Sequence, residues 1–342
     1  MKQLSQMSQL APLFKTALNR VLKKQKLKQI NLSLSSLCTA NCIYCPSDRG
    51  QKLTKNIMPY EYAEKIITEI SSKNFNKYHS IDRMSISENG EAFLNKDLVK
   101  ILRLIKLRLP NIKVDIFTNF SAVTKQKLEI ILKEKLIDTF ACNIDGFTHS
   151  NYFNVKQLNL QNTQSKLMDF LTIRQKLNSE VPLTILVLTL HAYIHTVFNK
   201  LGFYPSKLKD NTLVNVPDDF LLIEDYYSKM IDPKKDRIIK SQITAWAERE
   251  KVNTDKIDYS NHSCRLLNRI RKEAFIAPDG TWYACCLDSN HQLALGNVIE
   301  HSINDIFFSN HRRELIKLLE KKKFADIGGP CKTVNCCEFF VN

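Results

Sequence analysis

The stretch NLSLSSLCTANCIYC, residues 31–45, places three closely spaced cysteines directly after an alternating segment. Apolar and polar residues alternate over 31–37, which predicts a β-strand with one buried face. Cys38, Cys42 and Cys45 then follow with C-x3-C-x2-C spacing. Three thiolates at this spacing can each bind one iron of a [4Fe–4S] cube and leave the fourth iron open. A structural zinc site needs four ligands, and no fourth Cys or His lies nearby, so the triplet favours an iron–sulfur cluster with an open iron.

Strand-like and helix-like segments alternate from this point to about residue 250. Each predicted strand is a short alternating or apolar run, and each predicted helix has apolar residues at helical spacing. The predicted strands are 31–37, 81–87, 114–117, 139–145, 183–190 and, with a weaker pattern, 212–216. The predicted helices are 60–70, 97–109, 124–136 (capped by Thr124), 165–177 and 220–230. Such alternation predicts parallel strands in a barrel, a partial barrel or an open doubly wound sheet.

Three short polar motifs follow the second, third and fourth predicted strands. In chain order they are Gly90-Glu91, Thr118-Asn119 and Asn143-Ile144-Asp145-Gly146. The carboxyl ends of parallel strands meet at one face of an α/β barrel, where the βα loops build the active site. We therefore expect these motifs to lie beside the cysteine triplet.

Together the triplet and the three motifs resemble the radical S-adenosylmethionine (SAM) superfamily, in which an aromatic residue such as Tyr44 precedes the third cysteine. The resemblance implies an α/β fold, specifically a partial parallel (β/α)6 TIM-like barrel. It also implies that SAM chelates the open iron and that one electron from the cluster breaks a sulfonium C–S bond. The products would be methionine and a 5′-deoxyadenosyl radical that abstracts hydrogen. The residues implied in cofactor binding are Cys38, Cys42, Tyr44, Cys45, Gly90, Glu91, Asn119 and Asn143.

Four positions depart from the motifs of that superfamily. Asn89 stands where the first Gly of a Gly-Gly-Glu motif is usual, and Phe120 stands where a Gly follows Thr-Asn. Asn143 takes the place of a Ser, and its amide can still hydrogen-bond a carboxylate or a ribose hydroxyl. The Arg usual a few residues beyond Asp-Gly is absent, and Tyr-Phe-Asn at 152–154 stands there.

A second group holds six of the ten cysteines, all after residue 263. Asp279-Gly280 predicts a hairpin turn between 274–276 and 281–283, which would bring Cys264 toward Cys285. This region resembles the SPASM and twitch domains of many radical SAM enzymes, which implies one auxiliary [4Fe–4S] cluster. The implied ligands are Cys264, Cys285, Cys331 and Cys336, with Cys286 and Cys337 as alternatives to their neighbours. Four cysteines also suit a zinc knuckle or a rubredoxin-like iron site.

The chain of 342 residues is long enough for one large domain and one small one. We expect a basic N-terminal helix at 1–30, a radical SAM core at 31–250 and the cysteine-rich domain at 251–342. The clustered cysteines indicate metal ligation in a reducing compartment, and no apolar run reaches the length of a membrane span. A cytoplasmic location is therefore expected, with Cys142 as a packed core thiol.

The expected activity is that of a radical SAM oxidoreductase acting on a small sugar- or aminocyclitol-type substrate with help from the auxiliary cluster. A net charge of +15 suits an anionic substrate, and flavodoxin or ferredoxin would supply electrons. A peptide maturase and a non-catalytic iron–sulfur electron carrier are the alternatives. Nucleic acid is not favoured, because no Lys/Arg patch is interleaved with aromatics. His191 and His195 are expected in a loop near the substrate, and the sequence names no catalytic acid or base.

Overall fold

The computed structural model describes residues 26–42, 45, 56–86, 89–189, 219–242, 263–264, 266–288 and 290–332. Its strands are β1 (Gln29–Leu32), β2 (Arg83–Ile86), β3 (Lys113–Thr118), β4 (Thr139–Asn143), β5 (Leu183–Thr189), β6 (Arg237–Gln242), β7 (Glu273–Ile276), β8 (Thr281–Tyr283) and β9 (Ala294–Asn297). Its helices are α1 (Tyr60–Ser71), α2 (Lys73–Tyr78), α3 (Leu98–Arg108), α4 (Lys125–Lys133), α5 (His149–Lys156), α6 (Leu160–Lys176), α7 (Phe220–Ser228), α8 (Leu267–Lys272), α9 (Ile303–Phe307), α10 (Asn310–Glu320) and α11 (Phe324–Ile327).

The described strands form one sheet in the order β6-β5-β4-β3-β2-β1-β7-β8-β9. Neighbours from β1 through β6 are all parallel, and helices follow β2, β3 and β4 in the chain. This arrangement confirms the predicted α/β fold and is consistent with a partial TIM-like barrel. The carboxyl ends of β1 to β4 therefore lie along one edge, where the cysteine triplet and the polar motifs were expected to meet.

Helix α1 buries one apolar face in the core. The buried residues of α1 are Ala63, Ile66, Ile67 and Ile70, at the i, i+3, i+4, i+7 spacing of a single helical face. Thr124 caps α4 as predicted, by accepting a hydrogen bond from a backbone N–H three residues later. None of the described helices is both long and apolar enough to cross a membrane.

Two predicted elements have different limits in the structure. β1 ends at Leu32, well before residue 37, because the chain leaves the sheet there and Ser35 forms an isolated antiparallel bridge with Ile57. α6 begins at Leu160, ahead of the predicted 165, because Asn159 accepts a hydrogen bond from a backbone N–H of the first turn and caps the helix there.

Within the α/β core, three further elements differ from the sequence pattern. The short helices α2 and α5 have no counterpart among the predicted elements. The sixth strand of the sheet is β6, which lies beyond the charged, turn-like residues 233–236. The predicted strand 212–216, most of the N-terminal helix and the expected boundary near residue 250 fall outside the described residues.

The cysteine-rich C-terminal part continues the sheet of the core. β7 pairs in parallel with β1, from Gln29 beside Glu273 to Leu32 beside Ile276. The predicted hairpin then follows, because β7 and β8 are antiparallel and Gly280 occupies the turn with φ +87°. The two cysteine-bearing parts of the chain are therefore joined by backbone hydrogen bonds within one sheet.

Candidate active site

The first cysteines lie in a loop that is anchored to the end of the barrel sheet. Cys42 is buried, Cys38 and Cys45 are partly exposed, and the backbone N–H of Cys45 donates to the carbonyl of Cys42 at 3.0 Å. The backbone N–H of Asn41 donates to the carbonyl of Lys156, at the end of α5, at 3.1 Å. Tyr44 lies outside the described residues.

Two N–H donors face the sulfur of Cys38. The side-chain Nδ2 of Asn119 donates to its Sγ at 3.2 Å, and the backbone N–H of Ala40 also stabilises the thiolate. Burial nevertheless raises the pKa of the metal-free thiol from 9.0 to about 12. A neutral thiol is a weak acceptor, so two N–H donors suit a thiolate bound to iron. The residues present thus fit an iron–sulfur cluster at this loop.

A single metal ion, unlike an iron–sulfur cluster, needs its ligands to converge on one point. Within the described ranges, no three His, Cys, Asp or Glu side chains are grouped so that they could hold one metal ion together. In a [4Fe–4S] cube each thiolate binds a different iron, so its ligands do not converge on one point.

Gly90 packs directly against the backbone that leads into Cys38. Its φ is +72°, and a Cβ added there would lie 2.2 Å from the carbonyl oxygen of Ser35 and 2.7 Å from that of Leu37. The next residue, Glu91, donates its backbone N–H to the Leu37 carbonyl at 2.8 Å. The loop after β2 and the loop after β1 are therefore in contact through main-chain atoms, which only glycine permits.

The Glu91 carboxylate is turned inward and fully buried. Its oxygens accept hydrogen bonds from the Thr118 hydroxyl at 2.9 and 3.0 Å, the Asn119 backbone N–H at 2.9 Å and the Phe93 backbone N–H at 3.1 Å. Burial raises the pKa of Glu91, and these donors oppose that rise. The carboxylate thus ties the loop after β2 to the end of β3, and its contact with SAM stays a prediction.

The turn after β3 is held by Phe120, which has a buried ring and an unusual backbone conformation. Phe120 has φ +63°, although residues with a Cβ pay about 1–2 kcal/mol for this left-handed region. Its ring is fully buried, 5.3 Å from the ring of Phe140 between centroids. Aromatic burial therefore holds the turn where the superfamily usually has a glycine. Beside it, Asn119 Oδ1 accepts from the backbone N–H of Ser121 at 2.8 Å.

A buried ion pair lies behind the loop after β4. Asp145 Oδ2 is 3.1 Å from Lys156 Nζ, and the two side chains are 0% and 4% exposed. Asp145 also accepts from the backbone N–H of Leu188 at 2.8 Å. Asn143, the last residue of β4, is half-buried at the same strand end. The sequence analysis did not predict a role for Lys156. It could have been noticed as a cation a few residues beyond the position where the superfamily usually has an arginine.

Asn89 links the loop after β2 to the C-terminal hairpin. Its Nδ2 donates to the Tyr283 hydroxyl at 3.2 Å, and its backbone N–H points to the Ser33 hydroxyl at 3.4 Å. Tyr283 is the last residue of β8 and precedes Cys285 by two positions. The residue that replaces a glycine in the motif therefore makes a contact between the two cysteine-bearing parts.

The second group of cysteines comes from three segments of the chain. Cys285 and Cys331 are buried and belong to the main core, against which the half-buried Cys264 packs. Arg269, five residues beyond Cys264, donates to Cys286 Sγ at 3.3 Å. Cys336 and Cys337 lie outside the described residues, as do His191 and His195.

Two family models match the chain. The model of the radical SAM superfamily matches residues 32–193, and that of SPASM, an iron–sulfur cluster-binding domain, matches residues 264–337. The chain belongs to the radical SAM superfamily and carries a C-terminal SPASM domain. The expected cofactors follow from this membership: SAM and a [4Fe–4S] cluster for the first domain, and auxiliary iron–sulfur binding for the second.

The individual proteins that match are between 15% and 30% identical to this chain. A UPF0026 protein of Helicobacter pylori is 30% identical over 123 residues, which are 33% of this chain and 38% of that protein. The structure of BtrN in complex with AdoMet and 2-DOIA has a TM-score of 0.50 at 16% identity and covers 92% of this chain and 93% of its own. Streptococcus suis SuiB bound to precursor peptide SuiA has a TM-score of 0.59 at 15% identity, covering 96% and 80%. At these identities the two structures show a shared fold.

Proposed function

We propose that this chain cleaves SAM at a cluster held by Cys38, Cys42 and Cys45 and uses the resulting radical to oxidise or rearrange a small sugar- or aminocyclitol-type substrate. The observation that carries the proposal is the convergence of the β2 and β3 ends on Cys38. Asn119 donates to the Cys38 sulfur, and Glu91 holds the backbone of Asn119.

Each part of the site has a role in this proposal. When bound, the cluster and SAM supply a one-electron cleavage that yields a hydrogen-abstracting radical. Gly90 lets the loop after β2 approach the cysteine loop, and the buried aromatic ring of Phe120 holds the turn that bears Asn119. Asn143 offers amide hydrogen bonds to a carboxylate or a ribose hydroxyl.

Lys156 is a cation a few residues beyond the position where the superfamily usually has an arginine. Its ammonium is nearly inaccessible to water and already compensates Asp145. Water screens a buried charge little, so an anionic group on the Lys156 side of the pair would be attracted, with Asp145 offsetting part of that attraction. The SAM carboxylate is the anion that we propose for it.

The second cysteine group would hold an auxiliary cluster through Cys264, Cys285, Cys331 and Cys336. An auxiliary cluster of this kind would accept the second electron from the substrate, which makes the net reaction an oxidation, or would bind the substrate directly. We propose flavodoxin or ferredoxin as the external electron donor. The net charge of +15 supports both an acidic donor protein and an anionic substrate.

Peptide maturation is the second candidate function. The likeness in fold to SuiB, whose structure holds a precursor peptide, supports it, as the likeness to BtrN with 2-DOIA supports a small substrate. The two candidates differ in what donates hydrogen to the radical.

Two measurements test the proposal. Anaerobic reconstitution followed by iron analysis should give about eight irons per chain, and about four would contradict the auxiliary cluster. Candidate sugars, aminocyclitols and peptides carrying deuterium are then supplied with SAM and dithionite. Deuterium transferred to 5′-deoxyadenosine from a small polyol supports the proposed substrate class. Deuterium transferred only from a peptide supports peptide maturation instead.

A further inference from the structure

The amide of Asn119 is held in one orientation by its neighbours. Its Oδ1 accepts from the backbone N–H of Ser121 at 2.8 Å, and the Ser121 hydroxyl also contacts it. A backbone N–H can only donate, so the oxygen must face Ser121 and the nitrogen must face Cys38. The 3.2 Å contact from Nδ2 to the Cys38 sulfur is therefore an N–H donor aimed at sulfur.

The backbone of the same residue is fixed from the opposite side. The Asn119 N–H donates to the buried Glu91 carboxylate at 2.9 Å, and Glu91 also accepts from the Thr118 hydroxyl. Asn119 itself is only 9% exposed. Its position thus depends on the buried Glu91 carboxylate in the loop after β2, whose negative charge also acts on Cys38.

We propose that Asn119 acts on the Cys38 ligand and makes the SAM-binding cluster easier to reduce, with Glu91 as the positioning residue that holds it there. This rests on the proposed cluster at Cys38, Cys42 and Cys45. Reduction adds negative charge to the cluster and its thiolates. An N–H dipole aimed at a thiolate stabilises the more negative state, so it raises the reduction potential. Burial strengthens the effect because little water screens the dipole.

A contact of Asn119 with SAM is compatible with this role. The amide nitrogen carries two hydrogens, so a hydrogen bond to Cys38 leaves the second for another acceptor. A measurement on the cluster without SAM separates the two roles, because only the hydrogen bond to sulfur is then present. It also separates tuning of the potential from a merely structural role, which would change stability and iron uptake alone.

The test is the midpoint potential of the reconstituted full-length chain, followed by EPR in the absence of SAM. The signal of interest is the one that SAM addition perturbs in a parallel sample. Asn119→Leu keeps a similar volume and removes the donor, and its potential should be more negative than that of the wild type. Glu91→Gln loosens Asn119 but also removes a negative charge near Cys38, which by itself raises the potential, so its shift is compared with that of the same change made in Asn119→Leu. Glu91→Gln should raise the potential more in the Asn119→Leu background than in the wild type, because only in the wild type does it also release the Asn119 donor.

Asn89→Leu is the matched control, since this nearby amide donates to Tyr283 and not to a cysteine. Its potential should equal that of the wild type. An unchanged potential in iron-loaded Asn119→Leu would overturn the proposal. If that variant takes up no iron, Asn119→Ala decides, because it removes the same donor, and an unchanged potential there overturns the proposal equally. A wild-type chain without any signal that SAM perturbs would instead refute the proposed function.

Discussion

Replacing Gly90 by Ala should damage the cysteine loop through backbone contacts alone. The added Cβ would lie 2.2 Å from the Ser35 carbonyl oxygen and 2.7 Å from that of Leu37. Both are main-chain atoms of the segment that leads into Cys38, so no side-chain rotation can make room. The loop after β2 and the cysteine loop must therefore separate.

The magnitude follows from two contributions. A Cβ at φ +72° costs about 1–2 kcal/mol on its own. Separating the loops also strains the 2.8 Å hydrogen bond from the Glu91 N–H to the Leu37 carbonyl, and such a bond contributes about 1 kcal/mol. With the loss of packing around it, we expect Gly90→Ala to lower the free energy of unfolding by about 3–4 kcal/mol.

Urea unfolding of the metal-free chain measures this loss, and EPR after anaerobic reconstitution measures the signal that SAM perturbs. Gly280→Ala is the control, because Gly280 also has positive φ, +87°, but its Cβ would meet side-chain atoms of Asn297 and Ile299 in the hairpin. That variant should lose stability and keep the SAM-perturbed signal, whereas Gly90→Ala should lose both. A Gly90→Ala chain within about 1 kcal/mol of wild type, with a full signal, would refute the close approach of the two loops.

Three further changes have defined outcomes. Lys156→Met leaves the Asp145 carboxylate buried without its cation and should cost about 3–5 kcal/mol in urea unfolding, whereas Lys156→Arg should recover most of it. Burial lowers the pKa of His79 from 6.5 to about 4, so the unfolded chain takes up the proton first. Unfolding free energy should therefore fall by about 2–3 kcal/mol between pH 6.5 and 4, and His79→Gln should flatten that slope. Phe120→Ala should be less stable than Phe120→Gly by about 1 kcal/mol in thermal unfolding, because only glycine relieves the φ of +63°.

Local patterns predicted the parts of the molecule that depend on local chemistry. Alternation and apolar spacing placed most strands and helices within a few residues, and Asp279-Gly280 placed the hairpin. The spacing of Cys38, Cys42 and Cys45 pointed to an open iron–sulfur cluster, and family membership is confirmed by the matching models.

The local sequence patterns could not predict contacts between segments that lie far apart in the chain. No local signal indicates that β7 joins β1, because their pairing spans more than two hundred residues of chain. The inward turn of Glu91 depends on the donors at the end of β3, which only the assembled sheet supplies. The pairing of Lys156 with Asp145 depends on α5, a helix with no clear apolar periodicity. Phe120 adopts a conformation that its residue type disfavours, because tertiary packing outweighs local preference.

We propose above all that the cluster held by Cys38, Cys42 and Cys45 cleaves SAM. The most direct measurement is the amount of 5′-deoxyadenosine formed when the anaerobically reconstituted chain is incubated with SAM and dithionite. We predict time-dependent formation by the wild type and none above background by Cys38→Ala reconstituted in parallel. Equal amounts from both proteins, or none from a wild type that binds its full iron, would contradict the claim.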